Sequence, residues 1–220
     1  MVECITLNNL LPFVFNGMED SEKIIKSEVW NVPDISFRKG CKICIQAESG
    51  SGKSSLLSFI YGNRRDYKGK IRFDDFDIST LTTAQWCEMR TKCLALLPQE
   101  LRIFPELTVL ENIEIKNSRT HFKTIKEIEH LLERLNIANK KSTLARELSI
   151  GQQQRVALTR AICQPFDFLF LDEPVSHLDA FNNQIVAEII EEEARMQGGG
   201  IIATSVGNHL LLKNAQFISL

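Results

Sequence analysis

No run in this chain approaches the roughly 18 consecutive apolar residues of a membrane-spanning helix. Nor does a basic segment followed by an apolar core stand near its first residues. The expectation is a cytosolic chain. A dominant charge is missing too: 26 Lys and Arg face 28 Asp and Glu, a formal net charge of -2. No global field therefore draws nucleic acid or an anionic membrane surface, and no nucleic-acid partner is expected. The six cysteines stand at 4, 41, 44, 87, 93 and 163, and only Cys41 and Cys44 are spaced like a metal or redox pair. A zinc site needs a second pair, which the sequence lacks. Cys41-Lys42-Ile43-Cys44 reads as a strand, where positions three apart point to opposite faces, so plain packing is expected of both. At 220 residues the chain can bury one substantial core but is short for two typical domains. One domain spanning 1–220, with lobes, is the expectation.

What the chain does have begins with Ala47-Glu48-Ser49-Gly50-Ser51-Gly52-Lys53-Ser54-Ser55, set between apolar Ile43-Cys44-Ile45 and the helix-like Ser55–Ile60. That order is strand, tight loop, helix. Gly50 and Gly52 let backbone N–H groups turn inward around an anion, and the helix aims its positive end at the same point. Lys53 then reaches β- and γ-phosphates as a point charge, and the Ser54 hydroxyl ligates Mg²⁺. This is a P-loop, with Ala47 where the pattern asks for Gly. Ser49, Gly50, Ser51, Gly52, Lys53, Ser54 and Ser55 are its candidate phosphate ligands.

Before the loop, Cys4-Ile5-Thr6-Leu7 and Val29-Trp30-Asn31-Val32 read as short strands of a small β lobe, separated by the polar stretch Asn16–Lys23. Phe13 or Phe15 is a candidate for stacking on an adenine ring. After the loop, Tyr67–Asp75 reads as a hairpin and Thr82–Thr91 as a short helix. Cys93–Leu97 is a buried strand closed by Pro98, which puts Gln99 where open α/β sheets bind ligands, its amide within reach of Mg²⁺ or a water. From Thr108 to about Ile137 the spacing is helical, and the intervening charges read as a solvated face. Ser149 caps a helix running to about Cys163, and with the Gly151 amide it makes an anion site. Phe168–Leu171 is a strand ending at Asp172-Glu173. There Asp172 holds Mg²⁺ through water and Glu173 polarises the attacking water, the division of labour phosphoryl transfer requires. A long helix ends before Gly198-Gly199-Gly200, and Ile201–Thr204 reads as the final core strand.

In this order and approximate spacing the motifs resemble those of the ATP-binding cassette ATPases: the P-loop at 47–54, Gln99 as the Q-loop, Leu148 to Gln152 as the signature, Phe168 to Glu173 as Walker B, and Ser176 to Asp179 as the D-loop. Pro105–Ile113 is similar to the subgroup serving lipoprotein-release, macrolide-export and cell-division permeases. The resemblance implies an α/β fold, a P-loop NTPase RecA-like core with an N-terminal antiparallel β lobe and an inserted helical lobe at roughly 103–163. It implies ATP and Mg²⁺ as ligands and a head-to-tail homodimer holding two ATPs. Each ATP lies between one subunit's P-loop and the other's signature, so that Ser149 and Gly151 contact the γ-phosphate across the interface, and Gln152 and Asp179 are further candidate nucleotide-binding residues. A membrane permease docks beside Gln99, which places the protein peripherally on the inner face of the cell membrane. The chain departs from the pattern at the switch position after the last core strand, where Ser205 replaces a histidine. His209, four residues on, is the alternative occupant. Relatives also continue past the point matching Leu220.

Overall fold

The computed structural model describes residues 1–48 and 50–220. Along the chain run β1 (Cys4–Pro12), α1 (Glu22–Ile25), β2 (Ile35–Arg38), β3 (Lys42–Gln46), α2 (Lys53–Ile60), β4 (Tyr67–Phe73), β5 (Phe76–Asp77) and α3 (Thr83–Lys92). There follow β6 (Leu94–Leu97), α4 (Val109–Asn117), α5 (Ile125–Arg134), α6 (Ile150–Ile162), β7 (Phe168–Asp172), α7 (Ala180–Gln197), β8 (Gly200–Ser205) and β9 (Gln216–Ser219).

The strands form an antiparallel sheet, β2-β1-β4-β5, and a parallel one, β6-β7-β8-β3-β9. Every residue of β7 and β8 is buried, as expected of central parallel strands covered on both faces. Side-chain alternation along β7 divides the packing: Leu169 and Leu171 face α4 to α7, with Ile113, Leu132, Val156 and Ile190. Phe168 and Phe170 face α2, α3 and the antiparallel sheet, with Leu57, Trp86 and Ile5. Pairing aligns Gln46 with Ser205 and Asp172 with Thr204. The ends of β3, β7 and β8 therefore share the carboxyl edge of the sheet, where open α/β sheets place their ligand crevice.

Helix starts follow local chemistry. Thr82, Thr108, Thr124 and Ser149 each accept from a backbone N–H three residues on, while Gln85, Glu111, Glu127 and Gln152 reach back, four capping boxes legible as Ser/Thr-x-x-Glu/Gln. Asp179 caps α7, and Gly198 at φ 63 ends it.

Three expectations are corrected. Val29–Val32 is a loop that buries Val29 and Trp30 and exposes Asn31; the strand of that lobe is Ile35–Arg38, because Asn31 takes a left-handed φ of 57 that interrupts extended backbone. Ile201–Thr204 lies within β8 but is not the last core strand: β9 follows and pairs with β3. Within 108–137 the charges are not all solvated, for Lys123 is buried and its ammonium donates to Glu193 of α7 at 2.8 Å. The Asn117 carboxamide clasps the Lys123 backbone, breaking the helical stretch into α4 and α5. Among the described residues no helix is long and apolar enough to cross a membrane.

Candidate active site

The loop between β3 and α2 turns on two glycines in the left-handed region, Gly50 at φ 79 and Gly52 at φ 100. A Cβ on Gly52 would stand 3.0 Å from the Trp30 ring and 3.7 Å from Phe15, so the backbone lies directly on these aromatics. The Trp30 indole N–H donates to the Ser51 carbonyl at 3.1 Å and fixes the loop from below. Ser49 lies outside the described residues. Lys53, the first residue of α2, is buried, and its ammonium donates to the Ala47 and Glu48 carbonyls at 3.1 and 2.8 Å. Burial pushes its pKa down, while the charges of Glu173 and Asp172 pull it back up. The cation thus rests on neutral acceptors that an anion in the loop can replace.

At the end of β7, buried Asp172 accepts the Thr204 hydroxyl at 2.7 Å, and that hydroxyl accepts the Glu173 N–H at 3.3 Å. Glu173 itself is left-handed, φ 50, a conformation unfavourable for a residue with a Cβ. Its carbonyl accepts the Gln154 amide of α6 at 3.3 Å. This turn delivers Glu173 to a cleft of about 280 Å³ shared with Pro12, Val14, Phe15, Gly50, Gly52, Lys53, Ser54, Ser55 and Gln99. The glycine cradle, the cation, two hydroxyls, an amide and the carboxylate therefore meet in one cleft. The Ser54 side chain is exposed there, whereas the Ser55 hydroxyl accepts from Arg64 at 2.8 Å. Of the two aromatics, Phe15 lines the cleft; Phe13 is half exposed on the same turn and is not among the lining residues.

Gln99 stands before a strained turn in which Leu101 and Arg102 have φ of 55 and 48. Buried Arg160 of α6 holds both of their carbonyls, at 2.6 and 2.9 Å. Desolvation lowers the pKa of this guanidinium.

Ser149, Gly151 and Gln152 are elsewhere. They form the start of α6, where the Ser149 hydroxyl is taken up as a cap for the Gln152 N–H at 3.3 Å and Ile150 is 53% exposed. A Cβ on Gly151 would meet the His177 carbonyl at 3.3 Å, so the signature helix sits against the Ser176–Asp179 turn of its own chain. Asp179 caps α7, and the Asn182 backbone N–H holds its pKa low. None of the four lines the cleft with Lys53.

Ser205 ends β8 and is buried. Its carbonyl accepts the Ala47 N–H at 3.5 Å, and its hydroxyl has no partner among the described residues. The His209 ring packs edge-on against Phe217 of β9 with centroids 5.2 Å apart. Trp30, Thr204, Gln154 and Arg160 escape a reading of the sequence, since each acts through a tertiary contact that no local pattern signals.

A family model described as "ABC transporter" matches residues 31–176. The ABC transporter ATP-binding protein YtrE of Bacillus subtilis is 32% identical over 185 residues, 83% of this chain and 78% of YtrE. Uncharacterized ABC transporter ATP-binding protein Rv0073 of Mycobacterium tuberculosis is 33% identical over 174 residues, 78% of this chain and 53% of its own length. The chain thus spans about half of that relative. The lipoprotein-releasing system ATP-binding protein LolD of Shewanella oneidensis is 29% identical over 184 residues, 82% of this chain and 80% of LolD. Two dimeric structures of the ABC transporter cassette MJ0796, the second a post-hydrolysis state bound to ADP and Pi, share the fold at TM-scores of 0.74 and 0.73, with 21% and 20% identity, covering 91% of this chain and 87% of that one.

Proposed function

This chain belongs to the ATP-binding cassette family of ABC transporter ATP-binding proteins, and from that premise we propose that it binds and hydrolyses ATP as the energy-coupling subunit of a transporter. One observation carries the reading: Lys53, the glycine cradle and Glu173 share a single cleft although 120 residues separate the lysine from the carboxylate. Phosphates enter the cradle at the N-terminus of α2, Lys53 exchanges the Ala47 and Glu48 carbonyls for phosphate oxygens, and Phe15 offers its face to the base. Ser54 and Asp172 are oxygen donors that suit Mg²⁺, which is commonly held by one or two side chains plus substrate phosphates. Bound there, the ion neutralises charge on the phosphates. Glu173 draws a proton from the water whose oxygen bonds to the γ-phosphorus as the bond to the ADP oxygen breaks, giving ADP and phosphate.

The remaining ligands come from a second copy. Ser149, Gly151, Gln152 and Asp179 do not line the chain's own cleft, and a head-to-tail dimer would bring each set onto the partner's nucleotide. A membrane permease docks beside Gln99, setting the protein on the cytoplasmic face of the membrane. The likeness to LolD, a lipoprotein-releasing system ATP-binding protein, supports lipoprotein release within the subgroup that Pro105–Ile113 resembles.

A second reading, an ATP-gated module of weak turnover, is favoured by Ser205, whose short buried hydroxyl replaces an imidazole while His209 is engaged with Phe217. Calorimetry tests the shared premise. MgATP should bind the wild-type chain and bind Lys53→Ala much more weakly; equal affinities would overturn the assignment of the cleft.

A further inference from the structure

Gln154 sits inside α6, 2% exposed. Its amide nitrogen donates to the Glu173 carbonyl at 3.3 Å, while its Oε1 meets no hydrogen-bond partner among the described residues. A buried amide whose carbonyl oxygen is unpaired destabilises the fold relative to an apolar side chain of similar size. Packing therefore does not explain a glutamine at this position. What the amide holds is the outgoing peptide of Glu173, at φ 50, a backbone state that a residue with a Cβ keeps only where surrounding contacts enforce it. The Thr204 hydroxyl holds the incoming N–H of the same residue. The two peptide units flanking Glu173 are thus fixed from opposite sides, one by β8 and the other by the helix that starts at Ser149.

We propose that Gln154 is a positioning residue for water activation: it keeps Glu173 in its left-handed turn and ties that carboxylate to the signature helix. The inference rests on the proposed role of Glu173. Its bond is to the backbone rather than to the carboxylate, so Gln154 acts on where Glu173 points and not on its charge. Losing the bond frees the turn to relax toward negative φ and moves the carboxylate away from the water it serves. Nucleotide binding, which depends on the cradle and Lys53, is untouched.

Gln154→Met separates this role from packing, because Met preserves length and burial, removes the donor and also removes the unpartnered oxygen. In the full-length chain Tm should stay level or rise, MgATP affinity by calorimetry and KM should stay within about twofold, and kcat should fall about 10- to 100-fold, the scale of loss produced by misplacing a reacting group by roughly an ångström. Gln154→Glu, which when ionised cannot donate, should lose kcat likewise. Glu173→Gln is assayed in parallel. Turnover at the wild-type rate in Glu173→Gln removes the premise and overturns both readings. If Glu173→Gln is inactive while both Gln154 variants keep wild-type kcat, the positioning role alone is overturned. Loss of Tm, affinity and kcat together in Gln154→Met would make Gln154 a packing residue and overturn it as well.

Discussion

Around Lys53 and Glu173 the polar groups are tied into the chain by long-range bonds: Trp30 to Ser51, Thr204 to Asp172, and Gln154 to Glu173. At Ser149, Ile150 and Gly151, by contrast, the side-chain hydrogen bonds stay within the helix and its own cap, and a large apolar side chain faces solvent. Pre-organisation of the first kind is what a reaction centre needs, since dipoles already fixed in place need not reorganise as charge develops. The second kind suits a surface awaiting a partner, where an exposed helix N-terminus supplies N–H groups to an anion carried by another molecule. On this view one half of the ATP site is finished within a single chain and the other half is complete only across a dimer interface.

The contrast can be broken from either side. Glu173→Gln strikes the finished half hardest: ATPase turnover should fall about 10² to 10⁴-fold, the usual contribution of a general base, with MgATP affinity in calorimetry retained. On the outward half, Ser149→Asp keeps a good N-cap, so Tm should hold. Turnover should fall about 10²-fold, because an aspartate now meets the partner's γ-phosphate and like charges at an interface cost several kcal/mol. Unchanged turnover in that variant would reduce Ser149 to a helix cap. Lys53→Ala should weaken MgATP binding about 10- to 100-fold, the worth of a hydrogen bond to a charged group, and should do so in an isolated chain. The smallest effect is a gain: Ser205→His should raise the ATPase rate a few-fold and His209→Ala should leave it level. If instead His209→Ala abolishes turnover, the histidine acts despite its contact with Phe217.

How much of this was legible follows the same division between local and distant. Gly50-Ser51-Gly52-Lys53-Ser54 and Asp172-Glu173 could be read because neighbours in sequence are neighbours in the site. Capping boxes such as Ser149/Gln152 were legible because cap and partner lie three residues apart. Val29-Trp30-Asn31-Val32 reads as a short strand by its apolar pattern, whereas Trp30 is buried beneath Gly52 and only the folded chain shows it. Lys123 resembled the solvated charges around it, and nothing local announces a buried carboxylate at Glu193, 70 residues away. β9 is short and mostly exposed, an edge strand with too little apolar pattern to stand out. Arg160 has the look of a surface arginine on a helix, but the two left-handed carbonyls it holds belong to the turn after Gln99.

The claim that one chain carries half a site is tested most directly by measuring the mass of Glu173→Gln by size exclusion with light scattering, with and without MgATP. The account predicts a monomer without nucleotide, a dimer with MgATP, and a monomer again when Ser149→Asp is added to the same chain. A mass of one chain under every condition, with ATP demonstrably bound, would contradict it.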